Sequence, residues 1–161
     1  MISDDEAVLT FSSQNPPSSS SQDPPSSPLS GRDSGERQLA GKYVLLLEDN
    51  GIQALHILRM LDEFKCHLIG PARRTAFALN LIEMHPEIDV AIVDLHLEDA
   101  VATPAIDALA ERRIPFVLIT GRASYELPAS HDGIVLAKPF TAKDLRRSLT
   151  GTLFTGQSEL S

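Results

Sequence analysis

Cysteine is almost absent from this chain of 161 residues, and long apolar runs are absent altogether. The single cysteine, Cys66, excludes an intrachain disulfide and is typical of a reducing compartment. No apolar run reaches the roughly 20 residues that a membrane-spanning helix needs, and the first residues lack the basic and apolar regions of a secretion signal. We therefore expect a cytoplasmic protein with no membrane partner.

Positive charge is also in short supply, with 14 Lys and Arg against 22 Asp and Glu and a net charge of −8. Such a balance argues against nonspecific binding to nucleic acid. Three arginine pairs, Arg73-Arg74, Arg112-Arg113 and Arg146-Arg147, are either solvated helix ends or contacts for a phosphate backbone. The acidic balance favours helix ends.

Several familiar site patterns are missing. The five histidines show no spacing typical of zinc ligands, and no glycine-rich phosphate loop follows the first predicted strand. Asp94-Leu95-His96 lacks the second aspartate of haloacid-dehalogenase-like phosphatases. Cys66 has no neighbour that would activate a thiol, so we interpret it as a small buried residue.

Composition divides the chain into three parts. Residues 1–40 are rich in serine and proline and hold six acids against two arginines, which predicts a disordered tail. Residues 41–150 have the composition of one folded domain, and 151–161 are too few for an effector domain.

From Tyr43 onward, short apolar runs alternate with helical periodicity, the pattern of a parallel sheet covered on both faces. We predict strands at 43–47, 67–69, 90–93, 116–119 and 134–136. Helices are predicted at 51–64 behind an Asn50 cap, at 75–84, 104–112 and 141–149, with a short or irregular segment at 121–132. Right-handed connections then give a flavodoxin-like, doubly wound α/β fold with strand order 2-1-3-4-5.

The apolar stripes of the first two helices are expected to face the core. In the first helix the stripe contains Ile52, Leu55, Ile57, Leu58 and Leu61. In the second helix it contains Phe77, Leu81 and Met84. Pro71, with Gly70, is expected to end the second strand.

Polar residues stand where the predicted strands end: Glu48 and Asp49, Asp94, Thr120, and Lys138. The carboxyl ends of parallel strands share one edge, so these side chains should meet there. Three crowded carboxylates repel one another, and a hard cation such as Mg²⁺ would relieve the repulsion. The alternative is that Asp49 or Asn50 only caps the first helix while Glu48 is solvated.

Asp94 could attack a phosphoryl group and form an acyl phosphate. Lys138 and Thr120 could neutralise and hydrogen-bond the phosphoryl oxygens. Taken singly, a threonine at a strand end is usually a turn residue and a Lys-Pro pair a surface turn. Their placement at four separate strand ends favours a site.

These residues resemble the receiver domains of bacterial two-component response regulators. The likeness covers about residues 42–149 and rests on Leu46-Leu47-Glu48-Asp49-Asn50, Val93-Asp94-Leu95, Ile119-Thr120-Gly121 and Lys138-Pro139-Phe140. The resemblance implies that Asp94 is the phosphoacceptor, with Mg²⁺ held by Glu48, Asp49, Asp94 and the backbone carbonyl of His96. It also implies that Thr120 and Lys138 contact the phosphoryl group and that the bond before Pro139 is cis.

A subgroup of stand-alone receivers with a Pro-Phe-x-Phe-Ala-Thr-Gly-Tyr motif is similar at 115–122. The typical receiver has an aromatic switch residue three positions before the lysine, where this chain has Val135. With Thr120 as the remaining switch position, the conformational signal is expected to travel through the segment after it.

The function implied is that of a single-domain response regulator, which is not an enzyme beyond slow hydrolysis of its own aspartyl phosphate. A sensor histidine kinase or histidine phosphotransfer protein would donate the phosphoryl group, and an unnamed protein would receive the signal. Two alternatives stay open. One is a phosphate sink or shuttle that drains a kinase, and the other is a pseudo-receiver that binds its partner regardless of phosphorylation.

Overall fold

The structure of the chain is a computed structural model and describes residues 38–97, 101–121 and 133–155. The predicted tail up to residue 37, the predicted irregular segment from residue 122 to 132, and residues 156–161 lie outside these ranges. None of the described helices is long and apolar enough to cross a membrane.

Strands and helices alternate along the described chain. The strands are β1 (Tyr43–Leu47), β2 (His67–Ala72), β3 (Val90–Asp94), β4 (Phe116–Thr120) and β5 (Ile134–Ala137). The helices are α1 (Gly51–Glu63), α2 (Thr75–Met84), α3 (Thr103–Glu111) and α4 (Ala142–Thr155). All neighbouring strands are parallel and the order is β2-β1-β3-β4-β5, which confirms the predicted fold class and strand order.

Two hydrophobic clusters lie on opposite faces of the sheet, because successive residues of a strand point to opposite sides. Leu45 and Leu47 belong to the cluster that α2 and α3 cover. Val44 and Leu46 belong to the cluster under α1 and α4. Leu39 is fully buried in this second cluster, so packing begins just before β1.

The helix ends follow local chemistry. The Asn50 side chain accepts hydrogen bonds from the backbone N–H groups of Ile52 and Gln53 at 3.0 and 3.1 Å, as predicted for a cap. Pro104 lies in the first turn of α3. The final helix begins at a reciprocal Thr141–Asp144 cap and continues to Thr155, six residues beyond the predicted end.

Strand β2 differs from its prediction, because it continues through Gly70 and Pro71 instead of stopping there. Leu45 is opposite Ile69 but Leu47 is opposite Ala72, so β2 carries one extra residue in a bulge. Gly70 has φ +103°, and a Cβ at this position would lie 2.8 Å from the carbonyl oxygen of Leu46. Pro71 lies in a bulge of an edge strand, and both settings accommodate a residue that has no N–H to donate to the ladder.

The predicted core stripes of the first two helices are partly wrong. In α1 the buried residues are Ala54, Ile57 and Leu61, while Ile52 is 81% exposed. In α2 the buried residues are Thr75, Ala78 and Ile82, whereas Phe77 is 50% and Met84 71% exposed. Thr75, Ala78 and Ile82 recur at intervals of three and four residues and face the core, so the exposed apolar side chains lie away from it.

Candidate functional site

Three carboxylates meet at the carboxyl edge of the sheet. Glu48 and Asp49 follow the last residue of β1, and Asp94 ends the adjacent β3, whose Val93 is opposite Leu47. One carboxylate oxygen from each of the three residues lies within 4.8 Å of the others. The structure therefore brings together the acidic group that the strand ends predict.

Glu48 is the buried member of the group, with 1% of its surface exposed. Its Oε1 accepts a hydrogen bond from the Asn50 N–H at 3.0 Å, whereas Oε2 is buried without a hydrogen-bond partner among the described residues. Burial, reinforced by the charge of Asp94, raises the pKa of Glu48 to about 7. The alternative of a solvated Glu48 is wrong, although Asn50 does cap α1.

Asp94 is held by two donors on opposite oxygens. Its Oδ1 accepts a hydrogen bond from the His96 N–H at 3.0 Å, and its Oδ2 accepts one from the Lys138 ammonium at 2.8 Å. The same ammonium lies 3.5 Å from Glu48 Oε2. Lys138 therefore bridges two of the carboxylates and fixes the orientation of Asp94.

The two predicted switch positions, Thr120 and Val135, lie on β4 and β5. Thr120 is buried at the end of β4, and its carbonyl oxygen accepts a hydrogen bond from the Lys138 N–H at 2.9 Å. The Lys138-Pro139 bond is cis. Val135 lies earlier on β5, opposite Leu118, and is exposed.

The donor set suits a hard divalent cation. Carboxylate oxygens are the preferred protein ligands of Mg²⁺, which takes only one or two of them directly and completes its shell with water or phosphate oxygens. The buried Oε2 of Glu48, which accepts no hydrogen bond from the described residues, is an acceptor that a cation or its water could satisfy. The ligand atoms that this group offers are carboxylate oxygens.

Sequence reasoning missed two features of the site. The Asn50 N–H orients Glu48, a local turn that a carboxylate two residues before a helix cap could have suggested. Arg73 and Arg74 lie next to the site, because the Glu48 N–H donates a hydrogen bond of 3.0 Å to the carbonyl oxygen of Ala72. The strand order places the end of β2 beside the end of β1, which was the available signal.

Cys66 is half-buried, whereas the sequence predicts a buried residue. Its thiol donates a hydrogen bond to the carbonyl oxygen of Leu39 at 3.3 Å, and burial raises the pKa of the thiol to about 11. A protonated thiol is a poor nucleophile.

No family model matches the chain, and no curated protein matches it. Solved structures do match. The response regulator PhyR from Brucella abortus is 21% identical with a TM-score of 0.67 over 78% of this chain, and the chain spans only about half, 53%, of PhyR.

Two shorter solved structures match over nearly their whole length. The receiver domain of the sensor histidine kinase PA1611 from Pseudomonas aeruginosa PAO1, solved with a magnesium ion in its active-site cleft, is 25% identical with a TM-score of 0.64, covering 71% of this chain and 99% of that one. SdrG from Sphingomonas melonis Fr1 is 31% identical with a TM-score of 0.62, covering 71% of this chain and 98% of that one. With the strand order and the carboxyl-edge residues described above, these matches establish that the chain belongs to the receiver-domain family of two-component response regulators.

Proposed function

We propose that this chain is a single-domain response regulator that accepts a phosphoryl group on Asp94 and signals by protein–protein contact. The proposal rests on the two hydrogen bonds that orient the Asp94 carboxylate. The His96 N–H and the Lys138 ammonium orient its two oxygens, and Glu48 and Asp49 lie beside it. In a phosphotransfer from phosphohistidine, the P–N bond breaks as a P–O bond to Asp94 forms, and the released imidazole takes up a proton.

The residues around Asp94 are assigned to metal binding and to contacts with the phosphoryl group. Glu48, Asp49, Asp94 and the carbonyl group of His96 would hold Mg²⁺, which when bound supplies charge neutralisation for the phosphoryl oxygens. The Lys138 ammonium is already 2.8 Å from Asp94 and can follow the negative charge from the carboxylate to the phosphoryl group. The Thr120 hydroxyl, at the end of the neighbouring β4, can donate a hydrogen bond to the product. Such a protein is not an enzyme in the usual sense, since it turns over only its own acyl phosphate.

The phosphodonor requires a surface next to the site. Helix α1 begins two residues after Asp49 and exposes Ile52, Leu55 and Leu58. Exposed apolar side chains grouped on one helix are typical of a protein-binding surface. We assign this surface to a sensor histidine kinase or histidine phosphotransfer protein of bacterial origin.

Phosphoryl uptake tests the assignment. The full chain is incubated with acetyl phosphate and Mg²⁺, and intact mass shows whether one phosphoryl group is added. Asp94→Asn should abolish uptake, because an amide is a far weaker nucleophile than a carboxylate. Asp62→Asn, at an exposed aspartate of α1, is the matched control and should label normally. Labelling of the Asp94→Asn protein at the unaltered rate would refute Asp94 as phosphoacceptor.

The same assay separates the three functional hypotheses. A signalling regulator keeps its label long enough to alter partner binding, whereas a phosphate sink loses it rapidly after removal of the donor. A pseudo-receiver takes up no label under any condition. We expect stable labelling that depends on Mg²⁺ and disappears with a chelator.

A further inference from the structure

Helix α2 presents an apolar outer face. Only one of its ten residues, Glu83, is charged, and a helix that is apolar around most of its circumference is normally covered on all sides. Phe77 and Met84 are exposed, and Leu81 lies between them, partly buried against the core. The spacing of four and then three residues puts these side chains in one stripe.

The stripe begins next to positive charge. Arg73 and Arg74 are exposed just before α2 and, with Pro71 and Phe77, line an open cavity of about 360 Å³. A guanidinium has five N–H donors, so each arginine can bind a carboxylate in addition to the partners it has within the domain. We call the surface formed by Pro71, Arg73, Arg74, Phe77, Leu81 and Met84 the α2 face.

The chain contains a segment of complementary chemistry. Three consecutive acids, Asp4, Asp5 and Glu6, are followed at once by Ala7, Val8 and Leu9, and then by Thr10 and Phe11. The stretch between Phe11 and Gln38 is mostly serine, proline and other polar residues. The amino-terminal segment of residues 4–11 therefore has an acidic part and an apolar part, as the α2 face has a basic part and an apolar part.

The dimensions agree as well. Arg74 and Met84 are about 15 Å apart along α2 at 1.5 Å per residue. Asp5 and Phe11 are separated by about 9 Å in a helix or about 20 Å in an extended chain, so acids and apolar residues can reach their counterparts together.

The connecting chain is long enough for docking within one molecule. The described chain starts at Gln38, and Leu39 is buried on the face of the sheet that α1 covers, so residues 4–11 have to reach the opposite face of the sheet to contact α2. The 26 residues between Phe11 and Gln38 have a root-mean-square span of about 25–30 Å when flexible. This matches the roughly 30 Å diameter of a domain of this size, and such a tether gives a millimolar effective concentration.

We infer that residues 4–11 of this chain dock on the α2 face of the same molecule. Asp4, Asp5 and Glu6 pair with Arg73 and Arg74, while Val8, Leu9 and Phe11 cover Phe77 and Met84. The inference does not depend on phosphoryl transfer. It places the amino-terminal segment beside the acidic site, because the Ala72 carbonyl group that precedes the arginines is hydrogen-bonded to Glu48.

Paramagnetic relaxation in the full chain tests the docking. A nitroxide is attached to Ser3→Cys in a Cys66→Ser background, and amide signals are recorded by NMR. The signals of Phe77, Leu81 and Met84 should lose intensity, and those of Arg112 and Arg113 should not. Arg73→Glu with Arg74→Glu should restore the intensity, whereas the matched pair Arg112→Glu with Arg113→Glu should have no effect. Adding Asp4→Lys, Asp5→Lys and Glu6→Lys to the Arg73→Glu, Arg74→Glu protein should re-establish the loss.

Three results would overturn the inference. The first is no intensity loss along α2. The second is a loss that is insensitive to the Arg73 and Arg74 reversals. The third is a loss in an isotopically labelled chain without nitroxide that is mixed with an unlabelled nitroxide-bearing chain, since this would show docking on a second copy. A melting curve of each variant verifies that the domain is folded.

Discussion

Single residues of the acidic site control the stability of the domain as well as its chemistry. Burial raises the pKa of Glu48 to about 7 from an ordinary value of 4.5, so the folded protein binds this proton more tightly than the unfolded chain does. The charged form is disfavoured in the fold. Stability of the metal-free protein is therefore greatest near or below pH 4.5 as far as this group is concerned, and is lost as the pH rises through 7.

The pH dependence is the first prediction. Without Mg²⁺, the free energy of unfolding should fall between about pH 5 and pH 8 by up to about 3 kcal/mol from this group, at about 1.36 kcal/mol per pKa unit. Urea denaturation across this range measures the change. Glu48→Gln should flatten the profile, because a neutral amide does not titrate. A profile that keeps its full slope in this variant would assign the dependence to another group.

Lys138 gives the second prediction. Its ammonium offsets the negative charges of both Asp94 and Glu48. These ion pairs are partly buried, so their contribution to stability should lie between that of a surface salt bridge and that of a buried one. Lys138→Gln should lower the free energy of unfolding by about 2 kcal/mol without Mg²⁺. Uptake of the phosphoryl group from acetyl phosphate should be reduced but not abolished. The change in conformation that follows phosphorylation should be largely lost. Lys143→Gln, on the first turn of α4, is the control.

At the scale of elements, the sheet was predictable because short apolar runs indicate buried strands. Which face of each helix is buried was not predictable in the same way. The buried face of α2 consists of Thr75, Ala78 and Ile82, two of which are too weakly hydrophobic to mark a core face. Hydrophobicity alone instead indicated Phe77 and Met84. Likewise, Glu48 is buried by residues that are distant in sequence, so no local sequence pattern predicts its burial.

The bulge in β2 gives the third prediction. Gly70→Ala should destabilise the domain by about 2–4 kcal/mol, because the positive φ is strained for alanine and the new Cβ would clash with the Leu46 carbonyl group. Gly51→Ala is the matched control, since nothing lies within 4 Å of a Cβ there and alanine favours a helix. Chemical denaturation of both variants measures the difference. Equal stabilities would show that the bulge relaxes freely.

Helix α1 gives the fourth prediction. Leu55→Ser should slow phosphotransfer from a histidine kinase that labels the unaltered chain, since it removes apolar area from the proposed donor surface. Uptake from acetyl phosphate should be unchanged, because a small donor needs no docking helix. Slowing with both donors would place the effect in the active site and contradict a docking role.

At the scale of the whole molecule, metal binding and folding are linked. A ligand that binds only the folded state stabilises it by mass action, by about 1.4 kcal/mol at a free concentration of about ten times Kd. Melting temperature should therefore rise with Mg²⁺, and the rise should be larger at about pH 8 than at about pH 6, because protonated Glu48 is a poorer ligand. Asp49→Asn should weaken the effect. A shift that is identical in this variant would locate the metal elsewhere.

The extra residue in β2 shifts the pairing of this strand with β1 by one position. Before it, residues 67–69 pair with β1 in one alternation, and after it the pairing resumes one step later at Ala72. If the same residues formed a regular ladder without the bulge, Ala72 would turn outward and Arg73 would point toward the sheet. The bulge prevents this exchange, because Ile69 and Ala72 both stay in the cluster that α2 and α3 cover. Homologous chains that lack Gly70 or Pro71 should therefore keep the arginine-bearing loop in the same orientation, with a straighter second strand.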